Sequence, residues 1–238
     1  MKTEFWALRT VAAYRRALAL AIAFSGFLAI SFLGVRDLAT TAPVDAESAL
    51  SSGAVTGFVA VVYAAATAGG EIARGGLALA LLGSPDRRRA IADRLSAHAV
   101  AGASFGAAGA ITAAVLTFGL LSAGAGPIPG VDVLAARAAG TIAYGALMGV
   151  IGAALGLAFR SPAAAVITAL VVMLALDPLL AGLLDVFAQW GPGGAAGSLT
   201  GSGASDLPPP WAGGLTLCIY AALLGGAAAA LTARRDVP

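Results

Sequence analysis

Apolar residues along this chain arrive in long, nearly uninterrupted blocks separated by short polar or Gly/Pro-rich stretches. The blocks fall at about Ala17–Val35, Leu50–Gly69, Leu95–Ser122, Leu134–Phe159, Ala163–Phe187 and Trp211–Leu231. About 20 apolar residues in α-helix cross a hydrocarbon layer roughly 30 Å thick. A soluble core would instead read as shorter runs interrupted every few residues. The pattern predicts an all-α integral membrane protein with six transmembrane helices. The third to fifth blocks exceed the minimum span, so tilt or extension beyond the bilayer is expected.

Composition agrees with the pattern. Of the 238 residues, 59% are hydrophobic and 11% charged, where a soluble domain carries about 25% charged residues to cover its surface. The outer surface must therefore face lipid. The basic stretch Lys2–Arg16 ahead of the first block also fits a signal peptide. That block is longer than a signal core and lacks a small-residue cleavage site after it, so a retained helix is predicted.

Charge sets the expected orientation. Six spans place both termini on one side. With the N-terminus inside, the inner segments hold Lys2, Arg9, Arg15, Arg16, Arg74, Arg87, Arg88, Arg89, Arg94, Arg160, Arg234 and Arg235, leaving Arg36 and Arg137 outside. The positive-inside rule then predicts cytoplasmic N- and C-termini. Arg36–Ala49 and Ala123–Val133 become outer loops, and so does the Gly/Ser/Pro-rich segment 188–210, expected to be irregular. Trp190 and Trp211 bracket this last segment as interfacial aromatics do. In the fourth span, Gly145, Gly149, Gly152 and Gly156 form a small-residue stripe. It suits tight packing within one subunit, a dimer seam or a moving helix contact.

Several chemistries are excluded. One His (His98) and one Cys (Cys218) cannot build a clustered zinc site or an internal disulfide. Lys2 is the only lysine, so a P-loop, which needs a lysine to reach the phosphates, cannot exist here. His98 reads as an interfacial helix residue. Ionisable residues inside spans are few. Asp177 precedes Pro178 late in the fifth span and Asp185 follows two turns on. A structural role, a place on a substrate path and proton coupling all fit a carboxylate there.

The most informative stretch joins the second and third spans. Glu71 and Arg74 are three apart and can pair on one helix face. Leu77, Ala78, Leu81 and Leu82 continue an apolar stripe. Gly83 offers a helix stop, and Ser84-Pro85 a cap and first-turn proline before Arg87, Arg88 and Arg89. The residues thus describe a short helix at the inner surface, a sharp turn and a basic helix returning to the membrane.

Here the chain resembles the membrane-spanning subunits of type-2 ABC transporters, a permease family common among bacterial exporters. These carry a Glu-x-x-x-Gly-Thr pattern after the second span, a leucine-rich turn, then Pro and Arg. The matching residues are Glu71, Gly75, Leu81, Leu82, Pro85 and Arg87, with Gly76 in place of the threonine. The inner turn Phe159–Pro162 and the close Leu231–Val237 are similar to the family's as well. The resemblance implies one transmembrane permease domain over 1–238, with an interfacial elbow helix at 1–16 and a coupling segment at 71–94. In that segment Glu71, Arg74, Gly75, Leu81, Leu82, Pro85 and Arg87 meet a separate ABC ATPase. It further implies two ATPase copies, a second permease subunit identical or homologous to this one, and a bacterial plasma membrane as the location. ATP and Mg would lie on the partner, with no cofactor, metal or catalytic residue in this chain; Asp177 and Pro178, singled out by their place in the fifth span, are candidates for a substrate path. Nucleic acid is not an expected partner. An ATP-independent secondary transporter or membrane scaffold is the alternative, and an intramembrane enzyme a more distant one.

Overall fold

The computed structural model describes residues 12–33, 43–75, 87–124, 126–202 and 206–234. Among these residues there is no strand, and six helices are long and apolar enough to cross a membrane. The first span is α1 (Ala12–Leu33). The second joins α2 (Pro43–Ser51), a 3₁₀ turn (Ser52–Val55) and α3 (Thr56–Ala73). The third and fourth are α4 (Arg87–Ala123) and α5 (Val131–Phe159). The fifth joins α6 (Pro162–Val171), a π turn (Val172–Leu176) and α7 (Asp177–Leu183). Short helices α8 (Asp185–Trp190) and α9 (Pro192–Thr200) then precede the sixth span, α10 (Pro210–Arg234).

The apolar blocks locate every span, and the boundaries differ where polar residues join a helix. Residues 12–16 are the first turn of α1, continuous with the span, while 1–11 of the expected elbow lie outside the described residues. Residues 43–49, read as loop, are helical. Pro43 opens the helix, Asp45 sits in its first turn where the dipole favours an acid, and Ala46 and Ala49 are buried beside Leu33 and Leu121. The 37 residues of α4 reach about 55 Å, well beyond the hydrocarbon thickness. Segment 188–210, read as irregular, contains helix: α9 starts at Pro192 and ends at Gly201, whose φ of 69° lies in the left-handed region. Sequence polarity suggested a loop because Gly and Ser dominate; these small residues instead let α9 press against other backbones.

Small residues explain how the spans meet. A Cβ on Gly145 or Gly149 would run into the α4 backbone at Gly102 and His98, and one on Gly152 or Gly156 into α3 between Val61 and Gly69. The glycine stripe is thus used inside the subunit, with α5 central between α3 and α4. Around this contact lies an aromatic cluster. Tyr14 lies tilted on Phe105 and Tyr63 meets it edge-to-face, each with ring centroids 5.3 Å apart, and the Tyr14 hydroxyl meets Ser104 Oγ at 2.8 Å. The periphery is apolar and open: Phe27 on α1, Ile111 on α4, Ile167 on α6 and Leu223 on α10 are all exposed, as lipid-facing residues must be.

Two faces result. One, the basic face, holds the end of α3, the starts of α4 and α6 and the ends of α5 and α10. It carries a tight turn in which Arg160 (φ 53°) caps α5 through its N–H to the Gly156 carbonyl at 3.0 Å. Ser161 then caps α6 by accepting from the Ala164 N–H at 3.4 Å. The opposite, far face holds α2, the ends of α4 and α7, α8, α9 and the starts of α5 and α10.

Candidate functional site

At the basic face, the residues expected to form a coupling site fall into two groups. Leu81, Leu82 and Pro85 lie outside the described residues, and Arg87 is described only as the first residue of α4. Glu71, Arg74 and Gly75 are described. Glu71 sits in the last turn of α3, Arg74 follows it, and Gly75 (φ 75°) ends the helix with its N–H on the Ile72 carbonyl at 2.9 Å.

The expected Glu71–Arg74 pair is not the one formed. Glu71 Oε2 accepts from Arg94 Nε on α4 at 3.2 Å, whereas Arg74 is exposed. The reason is geometric: α3 ends at Ala73, so Arg74 has left the helix that would have held it three residues along one face. Arg94 is buried, at 9% side-chain exposure against 38% for Glu71. One turn further, buried His98 places Nδ1 2.9 Å from the Arg94 carbonyl and Nε2 2.9 Å from the Thr67 hydroxyl. His98 is therefore no mere interfacial residue; with Arg94 it forms a polar seam between α3 and α4. Sequence reasoning compared positions within one helix and so missed a pairing across two.

The far face holds the second site, a cavity of about 450 Å³ between α1, the second span, α5, the fifth span and α9. Its lining includes the polar residues Asp177, Ser51, Ser52 and Thr200 and the apolar residues Phe58 and Met148. Asp177 reaches it from a helix that runs on from Pro162 to Leu183 but is locally widened. Pro178 has no N–H to continue the ladder, and the π turn Val172–Leu176 absorbs the mismatch just before it. Asp177 Oδ1 then accepts the Gly193 N–H at 3.2 Å from the first turn of α9, which ties the fifth span to the segment folded back over it. Pro178 itself is exposed and does not line the cavity, and Asp185 is exposed on α8. Only Asp177 of this acidic pair faces the space.

Hydroxyls and one ion pair close the site. Ser51 Oγ donates toward the Gly201 carbonyl at 2.9 Å, joining α2 to the end of α9. Arg137 at the start of α5 holds Glu47 on α2 at 2.8 Å and reaches the Thr200 carbonyl at 3.4 Å. Next to the cavity, Gly57 leaves room for the ring of the lining residue Tyr144, which packs where a Cβ would stand. Ser48, Ser51 and Ser52 share a face at spacings of three and four at the head of the second span. That periodicity was available in the sequence. Among the described residues no group of three or more His, Cys, Asp or Glu could hold a metal ion. No protein-family model, no curated protein and no solved structure matches this chain.

Proposed function

We propose that this chain is the membrane-spanning permease subunit of an ABC-type exporter, forming the substrate pathway and driven by a separate ATPase. In this reading its termini and basic face lie in the cytoplasm of a bacterial cell, and a second permease subunit completes the pathway. Two ATPase chains bind ATP and Mg and press on the segment between α3 and α4.

The observation that carries the reading is the tie between Glu71 and Arg94. It joins the two helices at the base of that segment, so a force on the segment moves both spans together instead of prising them apart. Both helices meet α5 through glycine contacts, and α5 carries Tyr144 and Met148 into the far-face cavity. This is a continuous packed route from the basic face to a candidate substrate space. Work would enter at one end and reshape the other.

Co-purification in mild detergent tests the reading: an ATPase chain should accompany this one, and substrate efflux should stop on ATP depletion. Absence of any ATPase, with transport persisting without ATP, would sink it. Orientation is tested in a Cys218→Ala background. Asp206→Cys should react with an impermeant maleimide in intact cells, and Ser161→Cys only after permeabilisation. A second reading, ATP-independent transport, is favoured by one observation: a carboxylate, Asp177, next to a π turn within a span and lining a cavity. It predicts transport driven by an ion gradient in liposomes containing this chain alone.

A further inference from the structure

The far-face cavity joins one carboxylate to an apolar and aromatic wall, and that pairing specifies a ligand. Among the described lining residues Asp177 is the only one with a formal charge. Arg137, a cation among the described residues of the far face, is engaged by Glu47 and the Thr200 carbonyl. Asp177 Oδ1 takes the Gly193 N–H, while Oδ2 has no protein partner among the described residues. A carboxylate in a largely apolar space is costly unless something complements it. The same cavity is lined by Phe32, Phe58 and Tyr144, an aromatic class whose ring faces attract cations, and by the adaptable thioethers of Met148 and Met173. The volume of about 450 Å³ lies within the usual range for small-molecule sites.

We infer that this cavity binds an amphiphilic organic cation, an ammonium or similar monovalent positive centre on an apolar body. The charge sits on Asp177 Oδ2 and the body against the aromatic and methionine wall. Ser51, Ser52 and Thr200 give their hydroxyl protons to carbonyls of the protein and add no second charge, so a dication is not matched. The inference rests on the permease reading for its role as substrate, but the binding itself does not. The same chemistry is offered by a free amine and by the ammonium headgroup of a lipid.

The test uses the full chain in nanodiscs of phosphatidylglycerol, which has no ammonium, at about pH 8. Radiolabelled tetraphenylphosphonium is the cation and triphenylphosphine oxide the uncharged counterpart, with empty discs subtracted. Saturable binding of the cation is expected, with the neutral molecule bound far more weakly. Asp177→Asn keeps an acceptor for the Gly193 N–H, so the fold is preserved while the charge is removed. It should weaken cation binding by about 10- to 100-fold, the range of a single ion pair at the effective dielectric of a partly buried site, and leave the neutral molecule unchanged. Adding phosphatidylethanolamine separates the sources: competition assigns the site to a lipid headgroup, no competition to a free organic cation. Equal wild-type binding of cation and neutral molecule, which needs no variant, would overturn the inference, as would full affinity in Asp177→Asn. Because no ATPase is present, such a failure leaves the permease reading standing, and ATPase co-purification judges that reading separately.

Discussion

Arg94 Nε donates to Glu71 Oε2 at 3.2 Å across the junction of the second and third spans, and the two partners are unequally buried, at 9% and 38% side-chain exposure. That inequality decides which partner the fold can lose. Replacing Glu71 by Leu leaves a buried guanidinium short of its carboxylate, whereas Arg94→Met fills the apolar volume of the stem and leaves a carboxylate able to hydrate. Glu71→Leu should therefore cost about 1–3 kcal/mol and Arg94→Met distinctly less. Adding Arg94→Met to Glu71→Leu should recover part of the loss. Thermal unfolding in detergent, run as a double-mutant cycle, reads all three. Equal losses in the two single variants would refute the argument. Glu71→Lys would set two cations side by side, so a defect in coupling to an ATPase is better sought in Glu71→Gln, which retains an acceptor for Arg94.

The six spans were legible because apolar runs of about 20 residues dominate any local detail. Glu71 was legible as the charge that closes an apolar block. Its partner was not. Arg94 is 23 positions away, and two antiparallel helices bring it near only once the register of the second span on α4 is fixed where Gly109 meets Gly53 and Thr56. Asp177 stood out as a charge inside a span, but its cavity depends on α9 folding back, and Gly/Ser-rich sequence hides that helix. Helix propensity is weak at Gly193, Gly194 and Gly197; tertiary contact overrides it, with Ala195, Ser198 and Thr200 buried.

The glycine contacts give the cleanest stability contrast. Gly149→Ala drives a methyl into the His98 carbonyl on α4, where backbone rather than a flexible side chain must move. The cost should be about 1–3 kcal/mol, read as a lower unfolding temperature in detergent. At Gly226 on α10 a methyl would meet no atom within 4 Å outside its own helix, so Gly226→Ala should be neutral or stabilising by up to about 1 kcal/mol. Similar effects at the two positions would mean that the α4–α5 contact is looser than described.

Arg137 holds the far face together by joining α5 to Glu47 on α2 and to the end of α9. Arg137→Gln should loosen α9 more than it destabilises the whole. The expected signature is faster amide exchange over 195–200, by about tenfold, with exchange in α4 and α5 unchanged. Uniformly faster exchange would make Arg137 a general stabiliser. No change would make the pair an exposed one of little worth.

His98 offers a test of the polar seam at atomic level. Its Nδ1 lies 2.9 Å from the Arg94 carbonyl, an oxygen that can only accept, so Nδ1 carries a proton. Nε2 faces the Thr67 hydroxyl at 2.9 Å, and that hydroxyl also lies 2.7 Å from the Tyr63 carbonyl. A hydroxyl has one proton: if Thr67 gives it to Nε2, the imidazole is neutral; if to Tyr63, Nε2 must be protonated and donate. Thr67→Val removes the shared group in either case and should cost about 1–2 kcal/mol, while Thr67→Ser keeps it and should stay within about 0.5 kcal/mol of the parent. Because Thr67→Val withdraws whatever Nε2 bonds to, the imidazole nitrogen-15 shift of His98 should move in that variant and hold in Thr67→Ser. A shift that stays fixed in both would mean that Thr67 merely lies beside the ring, and the seam would then rest on Glu71 and Arg94 alone.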